Sequence, residues 1–183
     1  MEMAFTKNII NNIRLYLFLI LFLFLFFAGI KYAFASEYVL PYPSSMPGSK
    51  FYFIHQIYEK AEAYWYFGDL ARYHYNLKYS DKYLVESKTL FEYKQYLLAN
   101  VALEKSNLYF RKTRESLAKA SSNKKPVKEK EEILKNASLK HEEVLNQILQ
   151  VVPEEFDWQP EKDKPTKIYI QKEIEESIRI RKL

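Results

Sequence analysis

The chain has 183 residues, of which 28 are lysine or arginine and 23 are aspartate or glutamate, giving a formal net charge of +5. A charge this mild indicates no particular partner and gives no support to nucleic-acid binding. The chain has no cysteine, which excludes a disulfide framework, a thiolate zinc site and a lipid-modified cysteine.

The N-terminal region has the three parts of a secretory signal peptide. Two basic residues, Lys7 and Arg14, precede an unbroken apolar run, Leu15–Ile30, and the small residues Ala33 and Ala35 follow it. At about 1.5 Å per residue the run spans roughly 24 Å, less than the ~30 Å of a bilayer core. We therefore expect residues 1–35 to be cleaved off after export.

An uncleaved signal anchor is the alternative. If the helix continues through Ala35 and Lys31 reaches towards the interface, residues 15–35 are long enough to hold the chain in the cytoplasmic membrane. In both cases the chain is exported, and everything after Ser36 is extracytoplasmic.

Residues 36–48 are expected to be extended, because proline lacks an amide hydrogen and disfavours helix in the residue before it. The centre of this segment is Leu40-Pro41-Tyr42-Pro43. We expect Leu40 and Tyr42 to cover apolar surface of the core. The alternative is that the segment is an exposed, proline-rich ligand for an envelope partner.

The first helix of the domain is predicted at Lys50–Phe67, with Ser49 as its cap. An apolar stripe at spacings of three and four predicts the core-facing side: Ile54, Ile57, Ala61 and Trp65. Gly68 is placed to end the helix with a positive φ.

Asp69 is expected to cap a second helix in a stretch that contains no glycine or proline up to Ala120. The apolar stripe of this stretch changes phase near Phe91–Lys94, which predicts a break and an antiparallel helical hairpin. Small residues on the facing stripes would let the two helices approach closely. Residues 49–122 are therefore predicted to form a three-helix core domain.

Residues 123–183 are predicted to form a C-terminal helical extension. A fourth helix carries a stripe at Leu134, Ala137, His141, Val144, Ile148 and Val151. Phe156 and Trp158 lie in an irregular segment. Ile170, Ile174 and Ile178 predict a last helix, with Arg179, Arg181 and Lys182 suited to its C-terminus. The predicted fold class is an all-α small helical bundle built on the antiparallel hairpin.

No catalytic constellation is recognisable, and we expect no enzyme, no metal and no cofactor. Asp81 adjoins the core stripe and is expected to be a structural tie, bonded to Lys78, Lys82 or a tyrosine hydroxyl of the facing helix. His141 is expected to be a satisfied core histidine. The acidic residues that could serve glycan cleavage are expected to be solvated: Glu59, Glu62 and Glu86.

Tyrosines are dense in the first half of the domain, and several lie off the predicted stripes. We expect Tyr64, Tyr66, Tyr75 and Tyr79 to form an exposed contact surface. Such rings stack on sugars or lie at a membrane interface.

Four motifs resemble the domain-of-unknown-function family five-six-six-seven: Tyr38–Pro43, Met46–Gly48, Leu77–Ser87 and Tyr93–Ala99. The resemblance covers about residues 38–120, and Ser80 and Lys82-Tyr83 depart from the family's pattern. It implies an exported helical bacterial domain, and it implies no activity, cofactor or catalytic residue.

Together these features predict an exported cell-envelope domain of unknown function that acts by protein or peptide binding. The partner-binding or structural residues are predicted to be Leu40, Pro41, Tyr42, Pro43, Asp81 and Glu86. The alternatives are a cell-wall or glycan contact module and, third, an envelope hydrolase. Membrane contact through the N-terminal segment is expected if that segment is uncleaved, and the oligomeric state stays open.

Overall fold

The structure, a computed structural model, describes residues 16–19, 22, 38–43, 45–160 and 164–183. The predicted signal peptide and its cleavage site lie outside these residues, except for 16–19 and 22, which are helical and exposed. Contacts divide the chain into two units, Met1–Ser36 and Glu37–Leu183. Among the described residues, no helix has both the length and the apolar character needed to cross a membrane.

The second unit is mostly helical, which confirms the predicted helical bundle. Its elements in chain order are α1 (Tyr52–Glu62), a 3₁₀ turn (Ala63–Trp65), α2 (Asp69–Glu92), α3 (Tyr96–Ser122), α4 (Lys128–Leu149), β1 (Phe156–Trp158), β2 (Thr166–Ile168) and α5 (Ile170–Arg181).

The two short strands correct the all-α prediction. They pair antiparallel, with Phe156 opposite Ile168 and Trp158 opposite Thr166. Ile168 belongs to the buried core, and the Phe156 ring packs 5.0 Å from that of Tyr96 on α3. Alternate residues of this segment therefore face the bundle, which is a strand pattern too short to recognise in the sequence.

The antiparallel hairpin of α2 and α3 is confirmed, with its break where the apolar stripe changes phase. The turn residue Lys94 has φ = 58°. Its amide donates to the Phe91 carbonyl at 2.9 Å, and the Gln95 amide donates to the Leu90 carbonyl at 2.9 Å. These bonds satisfy carbonyls at the end of α2 that would otherwise lack partners.

The close approach of α2 and α3 is also confirmed. The Ser80 hydroxyl donates to the Ser106 carbonyl at 3.1 Å, and the Ser106 hydroxyl donates to the Ser80 carbonyl at 2.8 Å. Both serines are fully buried. Only small side chains permit this reciprocal pairing of one helix with the backbone of another.

The remaining bundle helices, α4 and α5, pack on the hairpin with their predicted apolar stripes inward. Ile170 and Ile174 of α5 are buried in the same core as Leu145 and Ile148 of α4, and Ile178 packs against it. Val151 is exposed instead of buried, and Val152 takes the core position. The reason is that α4 ends at Leu149, so the helical spacing no longer applies.

The first helix is shorter than predicted, and its predicted buried face is wrong. Ile54 and Ile57 are exposed, and Trp65 is 69% exposed, whereas Glu59 and Glu62 are buried. The surface of α2 beneath α1 presents tyrosine hydroxyls, which carboxylates can satisfy and isoleucines cannot.

The start of α2 departs from the predicted cap. Gly68 has the predicted positive φ, 83°, but it is the cap residue and Asp69 is the first residue of the helix. The Asp69 carboxylate instead accepts from Lys125 at 2.8 Å and from Asn123 at 2.9 Å. It joins the start of α2 to the loop after α3.

Candidate functional site

The opening segment, residues 38–43, forms no helix or strand, and it contacts the helical bundle through Tyr38 and Leu40. Tyr38 and Leu40 are half-buried, with Leu40 packed on the core, whereas Val39 is 78% and Tyr42 is 95% exposed. The prediction that Leu40 and Tyr42 are both buried is therefore wrong for Tyr42. Residues 41–43 are all exposed, so the segment leaves the bundle surface after Leu40.

A groove of about 520 Å³ runs beside this segment, between α2 and α4. Val85, Thr89 and Val144 line it together with Leu40 and Pro41. Ion pairs stand along its walls, Lys88 with Glu92 at 3.5 Å and Lys140 with Glu143 at 2.9 Å. The groove thus combines apolar lining with paired charges.

Asp81 is a buried tie between three segments of the chain. It accepts a hydrogen bond from the Tyr38 hydroxyl at 2.5 Å, and its other oxygen lies 2.7 Å from His141 Nε2. The predicted tyrosine partner is present, but it comes from the opening segment, not from the facing helix. Burial, followed by the neighbouring Asp81 charge, raises the pKa of Tyr38, which therefore remains a hydrogen-bond donor.

His141 is fully buried and bonded, as the sequence predicts. Burial lowers its pKa despite the opposing effect of Asp81, so the ring is neutral at neutral pH. Arg181 Nε lies 3.5 Å from Nδ1. Since Nδ1 accepts there, the proton must be on Nε2, which donates to Asp81.

Arg181 is the fully buried cation of this network, although the sequence places it at a helix end where it could be solvated. It donates to the Ser106 hydroxyl at 2.8 Å, to the Ser177 carbonyl at 3.1 Å and to Asn107. Burial lowers its pKa to about 9. Because the carboxylate, the imidazole and the guanidinium lie in one row, the buried charges of Asp81 and Arg181 offset each other.

Glu86 lies five residues further along α2 and belongs to a different contact. Its Oε1 accepts from the Tyr52 hydroxyl at 2.9 Å, whereas its buried Oε2 has no hydrogen-bond partner in the described part of the chain. Burial raises the pKa of Glu86, and the bond from Tyr52 only partly opposes this. The structure therefore does not bring Asp81 and Glu86 into one site.

A third group of buried carboxylates lies beneath α1, where sequence reasoning expected solvated acids. Glu59 accepts from the hydroxyls of Tyr83 at 2.6 Å and Tyr109 at 2.7 Å, and from Lys82 at 3.3 Å. The Tyr75 hydroxyl donates to the Glu59 backbone carbonyl at 3.0 Å.

Glu62, one turn later, is bonded in the same way. It accepts from Lys78 at 2.6 Å, from Tyr79 at 2.5 Å and from Tyr66 at 3.3 Å. Burial raises the pKa of Glu62, but these bonds and the Lys78 charge outweigh burial, and the net pKa is lowered. We call Glu59, Glu62 and the tyrosines around them the tyrosine–carboxylate cluster: Tyr66, Tyr75, Tyr79, Tyr83 and Tyr109.

The tyrosine prediction is thereby corrected. Tyr64 is exposed, but Tyr75 and Tyr79 are buried. Tyr75, Tyr79 and Tyr83 recur every four residues along one side of α2, and their rings stand 4.6 Å and 6.4 Å apart. This hydroxyl-bearing row was the signal in the sequence that could have identified Glu59 and Glu62 as buried partners.

The histidine of the buried network is closed off from solvent. His141 has Asp81 at one ring nitrogen and Arg181 at the other and no exposed surface, so no substrate atom can reach it. Within the described residues, no three His, Cys, Asp or Glu side chains are grouped so that they could hold a metal ion. The accessible features of the described residues include the exposed side chains of the opening segment, the groove, and the outer face of α1.

The family comparison identifies one match. The model of a family described as Domain of unknown function (DUF5667) matches residues 44–155, from the end of the opening segment to the residue before β1. The predicted resemblance to this family is confirmed, and the match extends beyond the predicted end at residue 120. It begins after the Tyr38–Pro43 motif, which lies outside it. No curated protein and no solved structure matches the chain.

Proposed function

The chain belongs to the DUF5667 family, and from that premise we propose that it is an exported cell-envelope domain that acts by binding a protein or peptide, without chemistry of its own. The observation that carries the proposal is the exposed outer side of the opening segment next to a groove. Val39 and Tyr42 face solvent there, while Tyr38 and Leu40 hold the segment in place.

A binding role fits the physical character of this segment. Pro41 and Pro43 restrict its backbone, so little conformational entropy is lost when a partner contacts it. Extended proline-rich segments are recurring ligands, which dock in aromatic-lined grooves of partner proteins. The groove walls belong to α2 and α4, two long helices of the bundle, which supports a preformed site.

Export is supported by the sequence of residues 7–35, with its basic start, apolar run and small residues before Ser36. The proposal predicts a mature chain that begins at Ser36. N-terminal sequencing of the chain from envelope material tests it, and recovery of Met1 or Lys7 peptides from the membrane fraction would favour the anchor.

The hydrogen-bonded carboxylates support the part of the proposal that assigns the domain no chemistry of its own. Asp81, Glu59 and Glu62 are all bonded to side chains of the domain. A general acid or base must have a free side towards its substrate. The glycan-contact alternative is favoured by the exposed rings of Tyr42 and Tyr64, which could stack on sugars.

Photo-crosslinking tests the binding proposal on the full chain in the envelope of cells that produce it. A photoreactive phenylalanine analogue replaces Tyr42 in one variant and Tyr93 in the control, since both tyrosines are exposed. We expect a discrete protein adduct from position 42 only, and we expect Val39→Ala to reduce it.

Equal adducts from positions 42 and 93 would contradict the proposal, because they would indicate non-specific contact. Adducts to glycan instead of protein at position 42 would favour the cell-wall alternative.

A further inference from the structure

The outer face of α1 carries an unusual set of exposed side chains. Its helix and flanking turns expose eight large apolar residues: Phe51, Phe53, Ile54, Ile57, Tyr58, Tyr64, Trp65 and Phe67. Isolated exposed apolar side chains are ordinary in proteins, but a contiguous set indicates a contact surface.

The helix is amphipathic, and its apolar side faces away from the bundle. A step of two residues along a helix moves a side chain to nearly the opposite side, so Ile57 lies opposite Glu59. Glu59 and Glu62 attach α1 to the tyrosine–carboxylate cluster through hydrogen bonds. The apolar face is therefore not needed for attachment to the domain.

We propose that this face of α1 rests on the surface of a lipid bilayer that contains anionic headgroups. Its rings are of the kind that prefer the interface: Tyr58, Tyr64 and Trp65 combine an apolar body with a polar atom. Phe53 and Ile57 are purely apolar and suit the boundary of the acyl chains.

The exposed charge of this region complements such a surface. The acidic residues between Ser49 and Phe67 are Glu59 and Glu62, and both are buried. Lys50 and Lys60 are exposed, so the fixed charge that α1 presents outward is positive. Lys105 and Lys112 add positive charge beside the cluster, with their Nζ atoms 4.9 Å and 5.6 Å from the rings of Tyr83 and Tyr109. Lysines near a bilayer are attracted to anionic lipids.

The chain itself can bring the domain to a membrane. The proposal relies on the export part of the proposed function and not on the groove. Residues 31–37 separate the apolar run from Tyr38, and a fully extended stretch of that length reaches roughly 25 Å. An uncleaved chain therefore keeps the domain near the bilayer surface, and a cleaved chain is released beside that surface.

Tryptophan fluorescence tests the proposal because the chain has only two tryptophans, Trp65 and Trp158. The Trp158→Phe variant keeps Trp65, in the turn directly after α1. The matched Trp65→Phe variant keeps Trp158, in β1. Each full-length variant is reconstituted into vesicles of phosphatidylglycerol and phosphatidylcholine, with or without bromine on the acyl chains. Co-sedimentation establishes that the protein is in the vesicles.

We expect brominated lipid to remove most of the Trp65 emission and the Trp65 maximum to shift to shorter wavelength. Trp158 emission should stay unchanged. Quenching of Trp65 should weaken when phosphatidylglycerol is omitted or when Lys50 and Lys60 are both changed to Glu.

Unquenched Trp65 in vesicles that hold the protein would overturn the proposal, and it is the result that a protein-binding α1 face would give. Adding Ile57→Asp to the Trp158→Phe variant, which keeps Trp65, gives a second test. Ile57 is exposed, so the change leaves the core intact. Persistent quenching in Ile57→Asp would also overturn it, since a charge on the docking face must weaken insertion. The crosslinking result at Tyr42 is independent of both outcomes.

Discussion

Two short helices of similar length, α1 and α5, flank the hairpin and are attached to it in opposite ways. The α5 helix buries Ile170 and Ile174 in the core, whereas α1 exposes Ile54 and Ile57. Both have an apolar stripe at helical spacing. The direction in which an amphipathic helix faces therefore depends on the surface that receives it.

The receiving surfaces explain the difference. Beneath α5 lie apolar side chains of α3 and α4, such as Leu103 and Leu145, so isoleucines are favoured there. Beneath α1 lie the hydroxyls of Tyr79 and Tyr83, and each such hydroxyl left without a hydrogen bond costs about 1–3 kcal/mol, so carboxylates are favoured there. The polar side of α1 therefore attaches this helix to the bundle.

The largest effect is expected where α5 carries a buried charge. Arg181→Ala removes the guanidinium that offsets Asp81 and leaves Asn107 and Ser106 without their donor. We expect a loss of about 3–5 kcal/mol in the free energy of unfolding, measured by urea denaturation. The control is Arg179→Ala, an exposed residue paired with Glu176, for which about 0.5 kcal/mol or less is expected. Equal losses would show that Arg181 is not the central cation.

A matched pair of apolar truncations tests the comparison directly. Ile174→Ala creates a cavity in the core beneath α5, and a loss of about 2–5 kcal/mol is expected. Ile57→Ala removes an exposed side chain of α1, and a change of about 0.5 kcal/mol or less is expected. Thermal or urea unfolding of the two variants measures both, and a large loss for Ile57→Ala would place the α1 stripe in the core after all.

The polar attachment of α1 is tested by Glu59→Ala. This change leaves the hydroxyls of Tyr83 and Tyr109 without an acceptor in a buried place, so a loss of about 1–3 kcal/mol is expected. Urea denaturation measures it, and Glu132→Ala, at an exposed residue of α4, serves as the control. A loss no larger than that of the control would contradict the role of Glu59 as an anchor.

The opening segment should split into a structural and a free side. Leu40→Ala is expected to cost about 1–2 kcal/mol, because Leu40 packs on the core while only half-buried. Tyr42→Ala is expected to leave the melting temperature almost unchanged, since the side chain is 95% exposed. Differential scanning calorimetry compares the two, and equal shifts would argue against the two-sided segment.

The smallest effect concerns Glu86 and depends on pH. Its pKa is raised by burial, so the folded chain holds this proton to a higher pH than the unfolded chain does. The stability from this group is complete below its unfolded pKa and is lost as the pH rises through the folded pKa. Glu86→Gln lacks this loss, so its stability relative to the parent chain should be higher near pH 7 and the difference should vanish near pH 4. The gain in the free energy of unfolding is expected to be below about 1 kcal/mol. Urea denaturation across that pH range measures it. A gain that grows towards acid pH would contradict the raised pKa of Glu86.

The helical hairpin was predictable from the sequence because its signals are local. The phase change near Phe91 located the break, and the small residues Ser80 and Ser106 indicated the close approach. The strands were not predictable, since three residues of alternation in Phe156–Trp158 are too few to distinguish a strand from a loop.

The candidate site was predictable only in part. Asp81 was predicted to be a structural contact, but its partners Tyr38 and His141 lie 43 and 60 residues away along the chain. Arg181 contacts His141 and not Asp81 itself. Periodicity describes one helix at a time and does not say which helix lies opposite. The assignment of Tyr42 to the buried side failed because residues 41–43 are all exposed, so the segment leaves the bundle surface after Leu40.

The sequence by itself determined the helices of the bundle, because proline and apolar spacing act within a few residues. It also indicated the family, because sequence motifs can be recognised without knowledge of tertiary contacts. Only the tertiary structure decided which side of α1 faces inward and which distant charges meet at His141. Burial of a polar group depends on the partner that a distant segment supplies. Neither the inward side of α1 nor the contacts of His141 could therefore be predicted from local sequence patterns.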